Sequence, residues 1–239
     1  MHSILMILTG ATAWTQKDGT QRPTGFWAEE FVTPHEIFMR SGERIEIATP
    51  GGRPAIVDAL SLAPQANHGD VGKVAELSAY LERFADALRA PRRIEDVNPA
   101  DFDAVFVPGG HGPMQDLAVD ASVGKVLSAA LNNERQVVAA VCHGQASFLS
   151  AGDSERWAFK GRKMTAFTND EEVQVGLAAN APWLLEDRLR AAGASFEAGA
   201  PWNCHVSVDG NLVTGQNPAS AGAVAETVLQ RLALRTPSA

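Results

Sequence analysis

The sequence predicts an α/β protein with a mostly parallel central sheet, and three stretches carry that expectation. Gln136-Val137-Val138-Ala139-Ala140-Val141 is an apolar, β-rich run that leads straight into Cys142, and small, helix-tolerant residues follow (Gly144, Ala146, Ser147). Strand, one-residue turn and helix is the arrangement of a nucleophile elbow. Ala104-Val105-Phe106-Val107 is a second buried strand, followed by Pro108-Gly109-Gly110-His111-Gly112-Pro113-Met114 and a helix over 119–132 that returns to the Cys142 strand. Such a unit is a right-handed parallel crossover, which brings the glycine loop and the elbow to one end of the sheet. Residues 3–8, Ser3-Ile4-Leu5-Met6-Ile7-Leu8, open the chain as a core strand.

The other elements follow in order. Residues 9–25 read as a polar loop after the carboxyl end of the first strand, where open α/β sheets place ligands. A helix then runs through Trp27, Phe31, Ile37 and Phe38, with Pro34 expected to kink or restart it. Glu29 and Glu30 stand in its first turn, where the dipole favours carboxylates in any helix. Arg44-Ile45-Glu46-Ile47-Ala48-Thr49 alternates as a strand, and Pro50-Gly51-Gly52 ends it. Residues 56–70 read as irregular, with His68 on a surface loop. The spacing of Val74, Leu77, Leu81, Phe84 and Leu88 gives a helix over 71–88. Residues 89–93 read as a solvated basic connection. Beyond the elbow, 157–162 reads as an exposed connection and 163–167 as a short strand. Thr168-Asn169-Asp170-Glu171-Glu172 reads as a solvated start to another helix. A helix over 181–192 ends at Gly193, 194–197 pairs at an edge, 205–214 forms a hairpin around Asp209-Gly210, and a helix over 217–234 closes the chain.

Composition bounds the function. The 239 residues show no internal repeat and no shift that marks a linker, so one domain, 1–239, is expected. A net charge of −8 argues against nucleic acid, whose binding rests on Lys and Arg. No apolar run reaches the ~18 residues of a membrane span. Cys142 and Cys204 make no disulfide framework, and a reactive thiol fits a reducing, cytoplasmic setting. Metal is not expected, because the six histidines show no close ligand pair and the cysteines lie far apart.

Cys142 is the candidate nucleophile. A helix N-terminus and free backbone N–H groups favour a thiolate there, which would make it the faster of the two cysteines to alkylate. The glycine loop lacks the spacing of a nucleotide-binding loop and suits backbone oxyanion donors better.

Four motifs together resemble the ThiJ/PfpI superfamily: Val138-Ala139-Ala140-Val141-Cys142-His143-Gly144, Pro108-Gly109-Gly110-His111-Gly112, Thr24-Gly25-Phe26-Trp27-Ala28-Glu29-Glu30 and Thr214-Gly215-Gln216-Asn217-Pro218-Ala219-Ser220. They are most similar to its heat-shock-chaperone branch, of glutathione-independent glyoxalase III type, and the likeness covers nearly the whole chain. It implies a flavodoxin-like three-layer sandwich, a homodimer and no cofactor. It also implies a carboxylate against the sulfur, which falls on Glu30. The family's Cys-His-acid triad falls on Cys142, His143 and an acid among Asp170, Glu171 and Glu172, with spacing favouring Glu172. The oxyanion donors fall on Gly110 and His143. Gln145 departs from the proline often found there and is expected at the pocket rim. The late His205-Val206-Ser207 lacks the His-x-Glu pair of class I glutamine amidotransferases, so glutamine hydrolysis is not expected. Peptidase action is not favoured either. The implied reaction turns a 2-oxoaldehyde such as methylglyoxal into a 2-hydroxyacid. A stress-protective holdase chaperone and a hydratase of isocyanide-like substrates on the same cysteine are the alternatives.

Overall fold

The computed structural model describes residues 1–152 and 156–234. The chain runs β1 (Ser3–Ile7), β2 (Ala13–Thr15), β3 (Gln21–Pro23), α1 (Ala28–Arg40), β4 (Arg44–Thr49), α2 (Val71–Arg83), α3 (Ala85–Arg89), β5 (Arg92–Arg93), β6 (Ala104–Val107) and α4 (Gly112–Gln115). It continues through α5 (Ala121–Asn132), β7 (Val137–Val141), β8 (Lys163–Met164), α6 (Asn169–Gln174), α7 (Leu185–Ala192), β9 (Ser195–Phe196), β10 (Val206–Asp209), β11 (Leu212–Gly215) and α8 (Ala221–Ala233), with short 3-10 turns between.

Seven strands form one sheet in the order β10-β11-β7-β6-β1-β4-β5, parallel except for the edge strand β10. β6 and β7 are apolar at every position, and β1 at all but Ser3, because both faces are buried. Leu5, Ile7, Val105, Val107, Val138 and Ala140 face one core with α5 and α7. Ile4, Met6, Ala104, Phe106, Val137, Ala139 and Val141 face the other, with α1, α2 and α8. The result is the expected three-layer α/β sandwich. From β1 the chain steps to β4 on one side, then crosses to β6 on the other, so ligand-binding loops gather where β1 and β6 part.

Several local expectations are corrected. α1 runs through Pro34 without interruption. The proline removes one backbone donor, but Phe31, Pro34 and Phe38 are buried and α1 packs on α8, so tertiary contact outweighs the lost bond. The 9–25 loop carries the β2–β3 hairpin and buries Trp14. The helix expected over 71–88 breaks at Phe84. Arg92 and Arg93 add an edge strand rather than a free connection, with Arg92 bonded to Glu46 at 2.7 Å. Trp157 and Phe159 are buried, not exposed: Phe159 stacks on Phe148 and Trp157 Nε1–H donates to the Phe148 carbonyl at 2.6 Å. β8 is only two residues long and pairs with β9 in a separate sheet. Among the described residues no helix is long and apolar enough to cross a membrane.

Candidate active site

β7 ends at Val141, and Cys142 takes φ 62°, a left-handed value that costs a non-glycine residue of order 1–3 kcal/mol. The turn leads at once into the expected helix, which is of 3-10 type over Cys142–Ser150. Side chains stabilise that tight spacing: Ser147 Oγ donates to the Gly144 carbonyl and Ser150 Oγ to that of Ser147, both at 2.7 Å. Gly144 permits the turn, because a Cβ there would lie 2.3 Å from the Val107 carbonyl oxygen. Gln145 is not at a pocket rim. It is fully buried, and its Nε2 donates to the carbonyls of Thr165 and Gly215, each at 2.8 Å, tying the elbow to β11 and the loop after β8.

Glu30 reaches the same place from α1. Its Oε2 accepts the Gly109 backbone N–H at 2.7 Å, a bond that spans the gap between the β1 and β6 ends. Its Oε1 makes no directional hydrogen bond, yet the carboxyl interacts with the Cys142 thiol. Gly109 and Gly110 let the backbones close in. A Cβ at Gly109 would lie 2.7 Å from both Glu30 Oε2 and the His143 nitrogen, and Gly110 holds φ 89° against the Gly25 carbonyl. Burial pushes the Glu30 carboxyl up to about 8, against the opposing pull of the Cys142 thiol and the Gly109 N–H. It is therefore protonated at neutral pH. Burial, then the neighbouring Glu30, also raises the Cys142 thiol well above its ordinary value, although the His143 N–H works the other way. The thiolate expected from the helix N-terminus is corrected: desolvation outweighs the dipole here.

His143 is buried beside the sulfur, its Nδ1 3.3 Å from Cys142 Sγ. Its Nε2 lies 2.7 Å from Glu172 Oε2. If Nε2–H donates to the carboxylate, the Nδ1 lone pair faces the thiol, the orientation a proton acceptor needs. The three acids of the loop separate. Asp170 is exposed. Glu171 and Glu172 are buried rather than solvated. Glu171 closes a capping box with Thr168, and its Oε1 accepts from the Trp202 backbone N–H and Asn217 Nδ2, both at 2.8 Å. The Gln216-Asn217 motif thus anchors α6 and turns the next residue, Glu172, toward His143. Burial opposes the charge on Glu172, but His143 and His111 hold its carboxylate well below the usual range.

His111 is the participant that spacing did not single out. Its Nε2 lies 2.9 Å from Glu172 Oε1, its ring stacks on Trp14 with centroids 4.7 Å apart, and it also meets the His143 ring at 4.1 Å. Phe167 packs its ring against His143 at 4.5 Å. Burial, then the neighbouring His143, lowers the His111 imidazole to about 4. The signal in the sequence was only a histidine inside the glycine loop, 32 positions before His143. Among the described residues, His111, His143 and Glu172 are also the group able to offer one ligand atom each to a metal, within 4.8 Å of one another. The Nε2 atoms of His111 and His143 each already meet one Glu172 oxygen, so a cation bound there would compete with both hydrogen bonds.

A three-layer α/β fold with a buried cysteine on a strained strand-to-helix turn, backed by histidine and carboxylate, defines the class. The chain belongs to the DJ-1/PfpI family, whose profile matches residues 23–231. It is 28% identical over 236 residues to Glyoxalase 3 of Candida albicans, covering 96% of this chain and 98% of that one. It is 30% identical over 230 residues to the glutathione-independent glyoxalase HSP31 of Saccharomyces cerevisiae, covering 93% and 94%. Among solved structures, the Rapid Encystment Protein 24 KDa of Francisella tularensis superposes with a TM-score of 0.85 at 27% identity, covering 97% of this chain and 99% of the other.

Proposed function

We propose that this protein is a cofactor-independent lyase of glyoxalase III type that converts methylglyoxal or a similar 2-oxoaldehyde to a 2-hydroxyacid. The observation that carries the reading is the buried line from Cys142 Sγ through His143 to Glu172, with the buried Glu30 carboxyl beside the sulfur. The relatives named glyoxalases support it.

In this reading the Cys142 proton passes to His143 Nδ1 as sulfur adds to the aldehyde carbon. The hemithioacetal oxygen is held by the N–H groups of Gly110 and His143. Removal of the hydrogen on that carbon gives an enediol, and return of a proton to the adjacent carbon gives a thioester bearing a hydroxyl. Water cleaves the thioester, releasing the hydroxyacid and restoring the thiol. Every proton removed is returned, so no external oxidant or reductant takes part. His143, steadied by Glu172, carries the proton between carbons; Glu30 keeps the sulfur's surroundings neutral as charge develops.

The test is lactate formation from methylglyoxal without glutathione, by wild type and Cys142→Ala. Turnover that disappears in a folded variant supports the reading. Full turnover in the variant removes Cys142 from it. A homodimer in the cytoplasm belongs to the same reading, and equilibrium sedimentation decides the dimer.

A further inference from the structure

His111 has no part in the reaction as written, yet its placement is specific. It is buried, among the described residues its side chain hydrogen-bonds to Glu172 alone, and its ring packs on both Trp14 and His143. Glu172 therefore serves two imidazoles, one on each oxygen, at 2.9 Å and 2.7 Å. A carboxylate bonded through a single oxygen can swing about its last torsion, because such sp²-terminated torsions are broad. One held at both oxygens cannot. His143 is restrained in turn by ring contacts with both His111 and Phe167.

We propose that His111 is a positioning residue for the Cys142 reaction: its Nε2–H fixes Glu172 so that Oε2 meets His143, and its ring fixes the plane of His143 so that Nδ1 meets the sulfur. His111 stays neutral above about pH 4, so it supplies a hydrogen bond without adding a positive charge beside His143. The Nδ1 of His111 is buried without a hydrogen-bond partner, a cost of order 1–3 kcal/mol that a purely structural aromatic residue would avoid. Among the described residues, the other titratable and charged groups acting on this cluster include Cys142, Glu30 with its neighbour Glu29, Glu171 and, from β3, Arg22.

The proposal rests on the glyoxalase reading for its kinetics but not for its chemistry of positioning, and the experiment separates the two. His111→Phe keeps a ring between Trp14 and His143 and removes the N–H. His111→Gln places an amide N–H near the lost Nε2. Methylglyoxal kinetics are measured beside the pH profile of Cys142 alkylation by iodoacetamide, read by peptide mapping. In His111→Phe, kcat is expected to fall roughly 10- to 100-fold with KM within about twofold, the scale of misplacing a catalytic group. The alkylation profile is expected to move by about half a pH unit or more, as charge on Glu172 is redistributed. His111→Gln is expected to recover most of both. Wild-type kinetics and profile in His111→Phe, or a Gln variant no better than Phe, would overturn the proposal. If the Phe variant does not fold, His111→Asn, too short to reach Glu172, replaces it against Gln with the same outcomes. If wild type turns over no 2-oxoaldehyde, the proposed function fails, and the alkylation profiles still decide the role of His111.

Discussion

Glu171 and Glu172 are neighbours in sequence and bond different sets of partners. Glu172 bonds the imidazoles of His143 and His111, whereas Glu171 bonds Thr168, the Trp202 backbone and the amides of Gln216 and Asn217. One carboxylate belongs to the site and the other to the frame that aims it.

Substitution should separate those roles. Glu172→Gln is expected to lower turnover by roughly 10²–10⁴-fold, the range for acid–base assistance. Glu171→Gln puts an amide N–H among donors and is expected to cost about 3 kcal/mol of stability. Asp170→Asn, at an exposed position, should change neither. Steady-state kinetics beside urea denaturation on the three variants checks this, and an inactive Asp170→Asn would contradict it.

Glu30 adds to the burial that raises the Cys142 thiol. Once Glu30 ionises, near pH 8, its charge adds to the desolvation that already opposes the thiolate. Glu30→Gln removes the charge, so the midpoint of Cys142 alkylation is expected to move to lower pH. Iodoacetamide rates from pH 6 to 10 measure the shift; a midpoint unchanged or higher would show that Glu30 does not act on the sulfur through its charge.

The same carboxyl makes stability depend on pH. Glu30 titrates near its ordinary 4.5 when unfolded and near 8 when folded, so between those values the folded state holds the extra proton. Its contribution is complete below 4.5 and is lost as pH rises through 8, at up to about 1.4 kcal/mol per pH unit. Glu172, held low by the two histidines, acts in the opposite sense: its contribution is present above 4.5 and lost on acidification. Denaturation midpoints from pH 5 to 9 should therefore decline more steeply in wild type than in Glu30→Gln.

Gly109→Ala tests the closeness of the site. The added methyl would collide with Glu30 Oε2 and the His143 nitrogen, and with the Val141 carbonyl at 2.8 Å. Turnover is expected to collapse, and the thermal midpoint to fall as well, since the collision is largely with backbone. Calorimetry with kinetics would read both; wild-type values in each would mean that the loop yields easily.

The two thiols should respond to size. Cys204 is exposed and Cys142 is buried with its proton held tightly. A bulky maleimide at neutral pH is expected to label Cys204 first, the reverse of the order inferred from the elbow. A small aldehyde would still be drawn to Cys142, where His143 takes the proton. Timed peptide mapping with both reagents checks the contrast.

What the sequence determined by itself were features set by neighbouring residues: the continuous apolar runs of the central strands, the turn at Cys142, the hairpin at Asp209-Gly210, the stop at Gly193. These follow from periodicity and local backbone preference, and the motif resemblance added where a carboxylate meets the sulfur. Three things were decided only in the tertiary structure. The burial of Glu30 and Cys142 reverses the local effect of the helix end, because desolvation depends on everything packed around a group. The separate duties of Glu171 and Glu172 come from the anchoring of α6 by Gln216 and Asn217, some 45 positions away. The partnership of His111 with His143 exists because β6 and β7 lie side by side in parallel, so the loops that leave their ends meet. Nothing in the spacing of two distant histidines encodes that meeting; the pairing of the strands does.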